Sequence, residues 1–226
     1  MISIDPKELE QAKRFLETGV KTLNHLLDYG IQGVGPLKGA SALAAGYKQA
    51  GLPLDRLQAA EALLKNELRK NFASGFFTSL GGFVSLPLAI PASMAASWVL
   101  QIRCIAAIAD LAGFDVNEPP VRTAIGLALL GNRGKELVES DFNELQVKLA
   151  QGNFNRLPKK TLLMINQRIV SKLSQMAGQK GLTRLGKAIP LAGGLVGGAL
   201  DYYSAQDSGR FALELFGLIK PEGTDA

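Results

Sequence analysis

Apolar residues at the start of the chain recur every three or four positions, which is the spacing of one buried helix face. Asp5 supplies a cap, Pro6 suits the first helical position and Glu8 completes a capping box. The pattern predicts an amphipathic helix of several turns that ends at Gly30. Its buried stripe is predicted to contain Leu9, Ala12, Leu16, Val20, Leu23 and Leu27.

Two further helices are predicted after a glycine-rich connector at residues 30–39. The first is short and rich in alanine, over residues 40–49, and the second begins at Pro53-Leu54-Asp55. The inner face of the second is formed by Leu57, Ala60, Leu64 and Leu68. Its charged residues are expected on the outer faces: Arg56, Glu61, Lys65, Glu67 and Arg69.

The character of the chain changes between residues 71 and 102, where no charged residue occurs. A membrane-spanning helix needs about 20 apolar residues, so the length suffices. Glycines and prolines interrupt the segment, however, and Pro91 is predicted to begin a helix that ends near Ala112 at Gly113. Because broken helices in lipid need protein cover, a buried helical hairpin is favoured over a membrane span.

The second half predicts four more helical stretches. They cover residues 121–130 after Glu118-Pro119-Pro120, a polar stretch 136–150, a basic helix from Pro158 to Gly178, and a last helix 195–216. A second apolar, glycine-rich segment, 186–200, is broken by Pro190.

The fold class predicted is all-α, because no strand-like alternation of convincing length occurs. We expect one compact multi-helix domain, 1–226, with the apolar segments 75–102 and 186–200 packed at its centre. The helices of residues 1–70 are less firmly specified than those of 71–216, and 217–226 is a tail.

The composition indicates the class of protein and its cellular compartment. With 47% hydrophobic and 20% charged residues, the chain has the composition of a globular protein. Cys104 is the only cysteine, which fits a reducing compartment, and the first residues do not resemble a signal peptide. We therefore expect a cytoplasmic protein.

Candidate catalytic chemistry is sparse. The chain has one histidine, His25, so a multi-histidine metal site is excluded and no metal or cofactor is expected. A dyad of His25 with Cys104 is conceivable, but buried cysteines are common core residues. The interpretation is a protein without enzymatic activity. An enzyme would need a polar pocket around Arg103, Asp110 or Asp201.

These same three charged residues lie in apolar surroundings, where charges are rarely buried unless paired. We predict that at least one of them forms a structural ion pair between helices, for example Arg103 with Asp201.

The second apolar segment contains two interleaved GxxxG spacings, formed by Gly193, Gly194, Gly197 and Gly198. No strand precedes them and no Lys-Ser/Thr pair follows, so a phosphate-binding loop is not supported. Glycines four positions apart let two helices approach closely. Close helix packing is the preferred interpretation, and membrane insertion is the alternative.

Charge is distributed unevenly. The chain has a net charge of +5, and no Asp or Glu occurs from Leu145 to Leu200. In the basic helix, apolar and basic residues fall on opposite sides, as in helices that lie on anionic lipid. An ordinary surface helix gives the same pattern. Nucleic acid is disfavoured because aromatic residues do not interleave with the cations. The residues expected to bind lipid headgroups or other anions are Lys159, Lys160, Arg168, Lys172, Lys180, Arg184 and Lys187.

Several segments between residues 71 and 216 resemble the bacterial EcsC protein family. They are Gly75-Phe76 to Gly81-Gly82, Leu86 to Pro91, Gln101 to Ala109, Gly113-Phe114-Asp115, Leu129-Leu130-Gly131 and Gly186 to Asp201. The resemblance implies a helical fold, and the apolar segments of the family imply association with membranes. The family is named from an operon that also encodes a transporter. It supplies no catalytic residues.

The leading hypothesis is a peripheral membrane-associated or lipid-binding protein, located in the cytoplasm and at the inner face of the membrane. Its basic residues would meet anionic headgroups, and its apolar segments would line an acyl-chain cavity or become exposed on binding. The alternative is a soluble helical adaptor that binds a protein partner. An apolar cavity, a solid core or a polar pocket would separate lipid binder, adaptor and enzyme.

Overall fold

The computed structural model describes residues 6–48, 55–73, 90, 92–141, 157–185 and 190–220. Within these ranges it describes the side chains except those of 6, 70–73, 92–93, 139–141, 179–185 and 190–201. The described part contains eight helices and one short hairpin. The helices are α1 (Pro6–Gln32), α2 (Ala40–Lys48), α3 (Arg56–Ala73), α4 (Ala92–Ala112), α5 (Pro119–Ala128), α6 (Asn132–Asp141), α7 (Lys159–Leu185) and α8 (Pro190–Leu215).

The all-α prediction is confirmed, apart from the hairpin of β1 (Gly33–Val34) and β2 (Leu37–Lys38). Gly33 and Gly35 adopt φ values of +91° and +56°, a region that favours glycine. The connector of the sequence analysis is thus a tight antiparallel turn between α1 and α2. Strands of two residues are too short to show an alternating pattern, so the sequence could not reveal them.

Helix α4 is the centre of the domain, with α1, α2, α3, α5 and α8 packed around it. The side chains of Ile102, Ile105 and Ile108 are at most 1% exposed. Residues Met94–Ala112 are apolar and long enough to cross a membrane, but 89% of that window is buried inside the protein. A core helix passes the same test of length and composition, so this property is weak evidence for a span.

The predicted end of the central helix agrees with the structure, and the first described residue of this helix is Ala92, next to the predicted start at Pro91. Gly113 follows α4 with a φ of +97°, and the amide of Phe114 donates to the carbonyl of Ala109 at 3.0 Å. This is the backbone arrangement in which glycine commonly ends helices. Residues 75–89 and 91, which precede α4, lie outside the described residues, as do 186–189. The predicted packing of the two apolar segments therefore stays a prediction.

A buried polar network ties α4 to α5 and α8. The Ser208 hydroxyl donates to the carbonyl of Leu129 at 3.0 Å, and it lies 3.4 Å from Gln101 Oε1. The Gln101 amide donates to Ser97 Oγ at 3.1 Å. Because these buried polar groups have partners, the network fixes how the three helices pack.

Two glycines predicted to end helices lie inside them. Helix α1 continues past Gly30 to Gln32, and α7 continues past Gly178 to Leu185. An internal glycine costs a helix only about 1 kcal/mol relative to alanine, which tertiary packing can offset. Gly30 is buried against Ile102 of α4, so it allows α1 and α4 to approach closely and does not end α1.

Three other predictions need correction. The first part of the α1 stripe is not buried, since Leu9 is 64% exposed and Ala12 is also exposed. The polar helix begins at Asn132 instead of Glu136, and its predicted end lies outside the described residues. The last helix begins at Pro190, five residues before the predicted start, because proline fits the first helical turn.

Candidate functional site

The first turns of α7 place cationic and apolar side chains together on the surface. Lys159 and Lys160 are exposed, and Leu163 and Met164 are each 49% exposed. Leu163 follows the buried Leu162 along the helix, but nearly half of its side chain reaches solvent. The buried side of α7 is formed by Leu162, Ile165, Ile169, Val170, Leu173 and Met176.

The cations farther along α7 face a different neighbour. Arg168 and Lys172 line a groove of about 470 Å³ between α6 and α7, together with Arg133 and Glu136. Sequence reasoning missed Arg133, because only the tertiary fold places α6 and α7 along the same groove. Lys180 and Arg184 lie in α7, but their side chains are not described, and Lys187 lies outside the described residues. Of the seven cations predicted to bind anions, the structure therefore describes the side chains of Lys159, Lys160, Arg168 and Lys172, and their role in binding stays a prediction.

An apolar cavity of about 460 Å³ lies between α1, α4 and α7. Among the described residues of its wall, Thr22 and Ser174 carry hydroxyl groups. The Thr22 hydroxyl already donates to the carbonyl of Thr18 at 3.0 Å. The apolar part of the wall includes Leu23, Leu26, Ile90, Trp98, Val170 and Leu173.

Beside this cavity, α1 and α7 pack closely at Gly19. A Cβ atom added there would lie 2.2 Å from Cγ1 of Val170, so any side chain would push the helices apart. Phe15, four residues earlier on α1, lines the cavity and is 44% exposed. A single partly exposed ring therefore marks the open side of the cavity.

The three charged residues singled out from the sequence have the following positions. Arg103 forms an ion pair with Glu67 of α3 at 3.3 Å, and Asp110 forms one with Lys48 of α2. Both pairs join different helices. The side chain of Asp201 is not described, so its proposed contact with Arg103 stays a prediction.

Glu67 was wrongly assigned to an outer face of α3. Its side chain is 5% exposed and that of Arg103 is 15% exposed, so this ion pair lies largely inside the protein. The sequence signal was the position of Glu67 next to Leu68, a residue of the predicted inner face. An acid at such a boundary becomes buried when a cation from another helix meets it.

The four glycines of the GxxxG spacings lie within α8. Their neighbours are not described, so their role in close packing stays a prediction. In the described part of the chain, no group of three His, Cys, Asp or Glu residues is arranged to hold a metal ion.

Cys104 does not have the setting of a nucleophile. Burial, and to a lesser degree the nearby Glu67 carboxylate, raises the pKa of the Cys104 thiol from 9.0 to about 12, against the opposing effect of Arg103. Reactive cysteines have lowered pKa values and accessible sulfur atoms. His25, the other candidate of the dyad, is exposed on α1.

We therefore expect Cys104 to resist thiol reagents in the folded protein. The raised pKa lowers the thiolate fraction at neutral pH by roughly 10³-fold relative to the unfolded chain. The check is the rate of reaction with Ellman's reagent in buffer and in denaturant. Equal rates in the two conditions would contradict the prediction.

The same shift gives a direction for stability against pH. Because the folded state favours the protonated thiol, protonation of Cys104 contributes to the free energy of unfolding. This contribution is fully present below the unfolded pKa of 9.0 and is lost as the pH rises toward about 12.

Comparison with known proteins places the chain in a family. No curated protein and no solved structure matches it. The family model described as the EcsC protein family matches residues 37–218, and this match includes α2 and α3, which precede the segment whose resemblance was evident from the sequence. Since the match covers most of the chain, from β2 to the end of α8, the protein belongs to the EcsC family.

Proposed function

We propose that this protein is a non-enzymatic peripheral membrane protein of the cytoplasm, and that the start of α7 contacts the inner, anionic face of the membrane. The observation that carries the proposal is the exposure of Leu163 and Met164 on the same two turns as Lys159 and Lys160.

Single exposed leucines are common on protein surfaces and carry little information. Here, two large apolar side chains are adjacent and have lysines beside them, which suits a bilayer interface. Apolar side chains would enter the boundary between headgroups and acyl chains, and each nearby cation would contribute about 1 kcal/mol with anionic lipid. Helix α7 contains no Asp or Glu, so no acid of its own opposes that contact.

The test is flotation of purified protein with vesicles of phosphatidylglycerol and phosphatidylcholine, compared with phosphatidylcholine alone, across a salt series. We expect binding to the anionic vesicles that weakens with salt. The double variant Lys159→Gln/Lys160→Gln should bind roughly 30-fold more weakly, as expected for two contacts of about 1 kcal/mol each. Leu163→Ser/Met164→Ser should also lose binding, but with less dependence on salt.

Matched controls come from α1 and β2. Lys21→Gln/Lys38→Gln removes the same charge from exposed positions of other elements, and Leu9→Ser removes an apolar side chain that is 64% exposed on α1. These variants should float like the wild type, apart from a small general effect of net charge. Equal losses in the control and α7 variants would show that net charge alone drives binding. Absence of flotation at low salt would reject the proposal.

A second candidate function, a helical adaptor for a protein partner, is favoured by the start of α1. Leu9 and Phe15 are 64% and 44% exposed there, and acids and bases alternate around them, as in the Glu10–Arg14 pair at 2.8 Å. Such a mixed-charge surface suits a protein better than an anionic membrane. If Leu9→Ser/Phe15→Ser abolished a purified complex while flotation was absent in the wild type, the adaptor function would replace the membrane function.

A further inference from the structure

We propose that the cavity between α1, α4 and α7 binds a single long acyl chain of a one-chain lipid. This inference deepens the proposed membrane function and rests on it for the choice of a lipid.

The wall excludes occupants that carry many polar groups. Seven of its residues are large apolar ones: Phe15, Leu23, Leu26, Ile90, Trp98, Val170 and Leu173. Of the two hydroxyl-bearing residues, Thr22 already bonds to its own helix. An inserted peptide would lose hydrogen bonds of its backbone to water and find few replacements, at a cost of a few kcal/mol per group. A hydrocarbon chain has no such groups.

The size of the cavity suits one small ligand. Its volume of about 460 Å³ lies toward the lower end of the range of small-molecule pockets, roughly 300–1,000 Å³. Apolar cavities accept apolar guests, because the guest removes apolar wall surface from contact with water. Burial of the chain would therefore be favoured by about 25 cal/mol for each Å² of apolar surface removed from water.

The cavity is connected to the proposed membrane contact through α7. Val170 and Leu173 of this helix form part of the wall, and Leu163 and Met164 are exposed two turns earlier on the same helix. Phe15 borders the open side of the cavity and is 44% exposed. An acyl chain could enter past this ring while its polar headgroup remained in solvent or at the bilayer surface.

Trp98 makes the proposal testable, because it is the only tryptophan of the chain and lines the cavity with 2% of its surface exposed. Bromine atoms quench tryptophan fluorescence on contact. Titration with monomeric dibromostearate should quench Trp98 to saturation, and unbrominated stearate should reverse the quenching by competition. Absence of quenching at concentrations below micelle formation would overturn the proposal.

A filled cavity provides the decisive variant. Ser174 and Gly178 line the cavity, and a Cβ atom on Gly178 would meet no described atom within 4 Å. The double variant Ser174→Leu/Gly178→Leu should raise the Kd for dibromostearate, measured by quenching of Trp98, by about tenfold or more. The matched control is Ser41→Leu/Gly46→Leu on the exposed side of α2, where a Cβ on Gly46 also meets no described atom within 4 Å. This control should bind like the wild type, and thermal unfolding should show that both variants are folded.

Flotation of the same proteins separates the two proposals. If the filled variant floats normally but no longer shows quenching, both the membrane contact and the cavity site are supported. If wild-type protein is quenched but does not float, the cavity site stands and the membrane function fails. If the filled variant is folded and is quenched as strongly as the wild type, the cavity is not the binding site and this inference is wrong.

Discussion

Replacing Arg103 with methionine is expected to lower the free energy of unfolding by about 3–5 kcal/mol, the usual range for removing one partner of a buried ion pair. The variant Arg103→Met keeps much of the side-chain volume but removes the guanidinium 3.3 Å from the Glu67 carboxylate, which is 5% exposed. The carboxylate then stays in a region of low dielectric constant without that cation, which is the costly arrangement.

The pair itself is not expected to stabilise the fold strongly, and a variant that replaces both partners tests this expectation. Nε of Arg103 is buried and has no hydrogen-bond partner among the described residues, so the guanidinium is incompletely satisfied. Replacing both partners, as in Glu67→Leu/Arg103→Met, removes the two charges and the unsatisfied donor together. We expect the free energy of unfolding of this double variant to lie within about 1–2 kcal/mol of the wild-type value, since apolar replacements of buried pairs are often neutral or stabilising.

Chemical denaturation of the wild type, both single variants and the double variant measures the coupling between the two side chains. The control is Arg14→Met, which breaks the exposed Arg14–Glu10 pair, with side chains 77% and 65% exposed, and should change little. A loss below about 1 kcal/mol for Arg103→Met would show that water reaches the pair, contrary to its burial. A double variant less stable than either single variant would contradict the expectation that removing both charges together is nearly neutral.

The parts of the fold that the sequence predicted well depend on local signals. Helix α4 begins just after Pro91 and ends at Gly113, and α5 begins at Pro119, because proline at a helix start and glycine at a helix end act through their own backbone angles. The same local rule failed at Gly30 and Gly178. Gly30 is needed for close packing on α4, and such a glycine cannot be distinguished from one that ends a helix until the neighbouring helix is known. An added Cβ at Gly178 meets no described atom within 4 Å, so close packing does not explain why this glycine lies inside α7.

The candidate site was predictable only in part for a similar reason. The basic character of α7 is evident from its composition, whereas the exposure of Leu163 depends on which helices cover α7. Arg133 joins Arg168 and Lys172 because α6 and α7 border the same groove, and the cavity depends on the spacing of α1, α4 and α7. Pairing of Arg103 with Glu67 likewise depends on the contact of α3 with α4. These properties arise between elements, and periodicity describes single elements.

The contact of α1 with α4 leads to the second large effect, at Gly30. A Cβ atom there would lie 2.4 Å from Cγ2 and 2.8 Å from Cβ of Ile102, and 3.0 Å from the backbone nitrogen of Arg103. The Cβ atom of Ile102 and the backbone cannot turn away as the end of a long side chain can. We therefore expect Gly30→Val to force α1 away from the central helix, at a cost of about 3 kcal/mol or more.

Thermal and chemical unfolding test this expectation, with Gly46→Val of α2 as the matched control. A Cβ atom at Gly46 meets no described atom within 4 Å, so the control changes only helix propensity, by a few tenths of a kcal/mol. For a chain of this size, a loss of 3 kcal/mol corresponds to a fall in Tm of roughly 6–12 °C.

Since Ile102 is fully buried and Arg103 carries the ion pair, the displacement would also disturb the pair with Glu67. The effects of Gly30→Val and Arg103→Met should therefore be less than additive, because both weaken the same region of α4. Full additivity would show that α1 yields without moving α4.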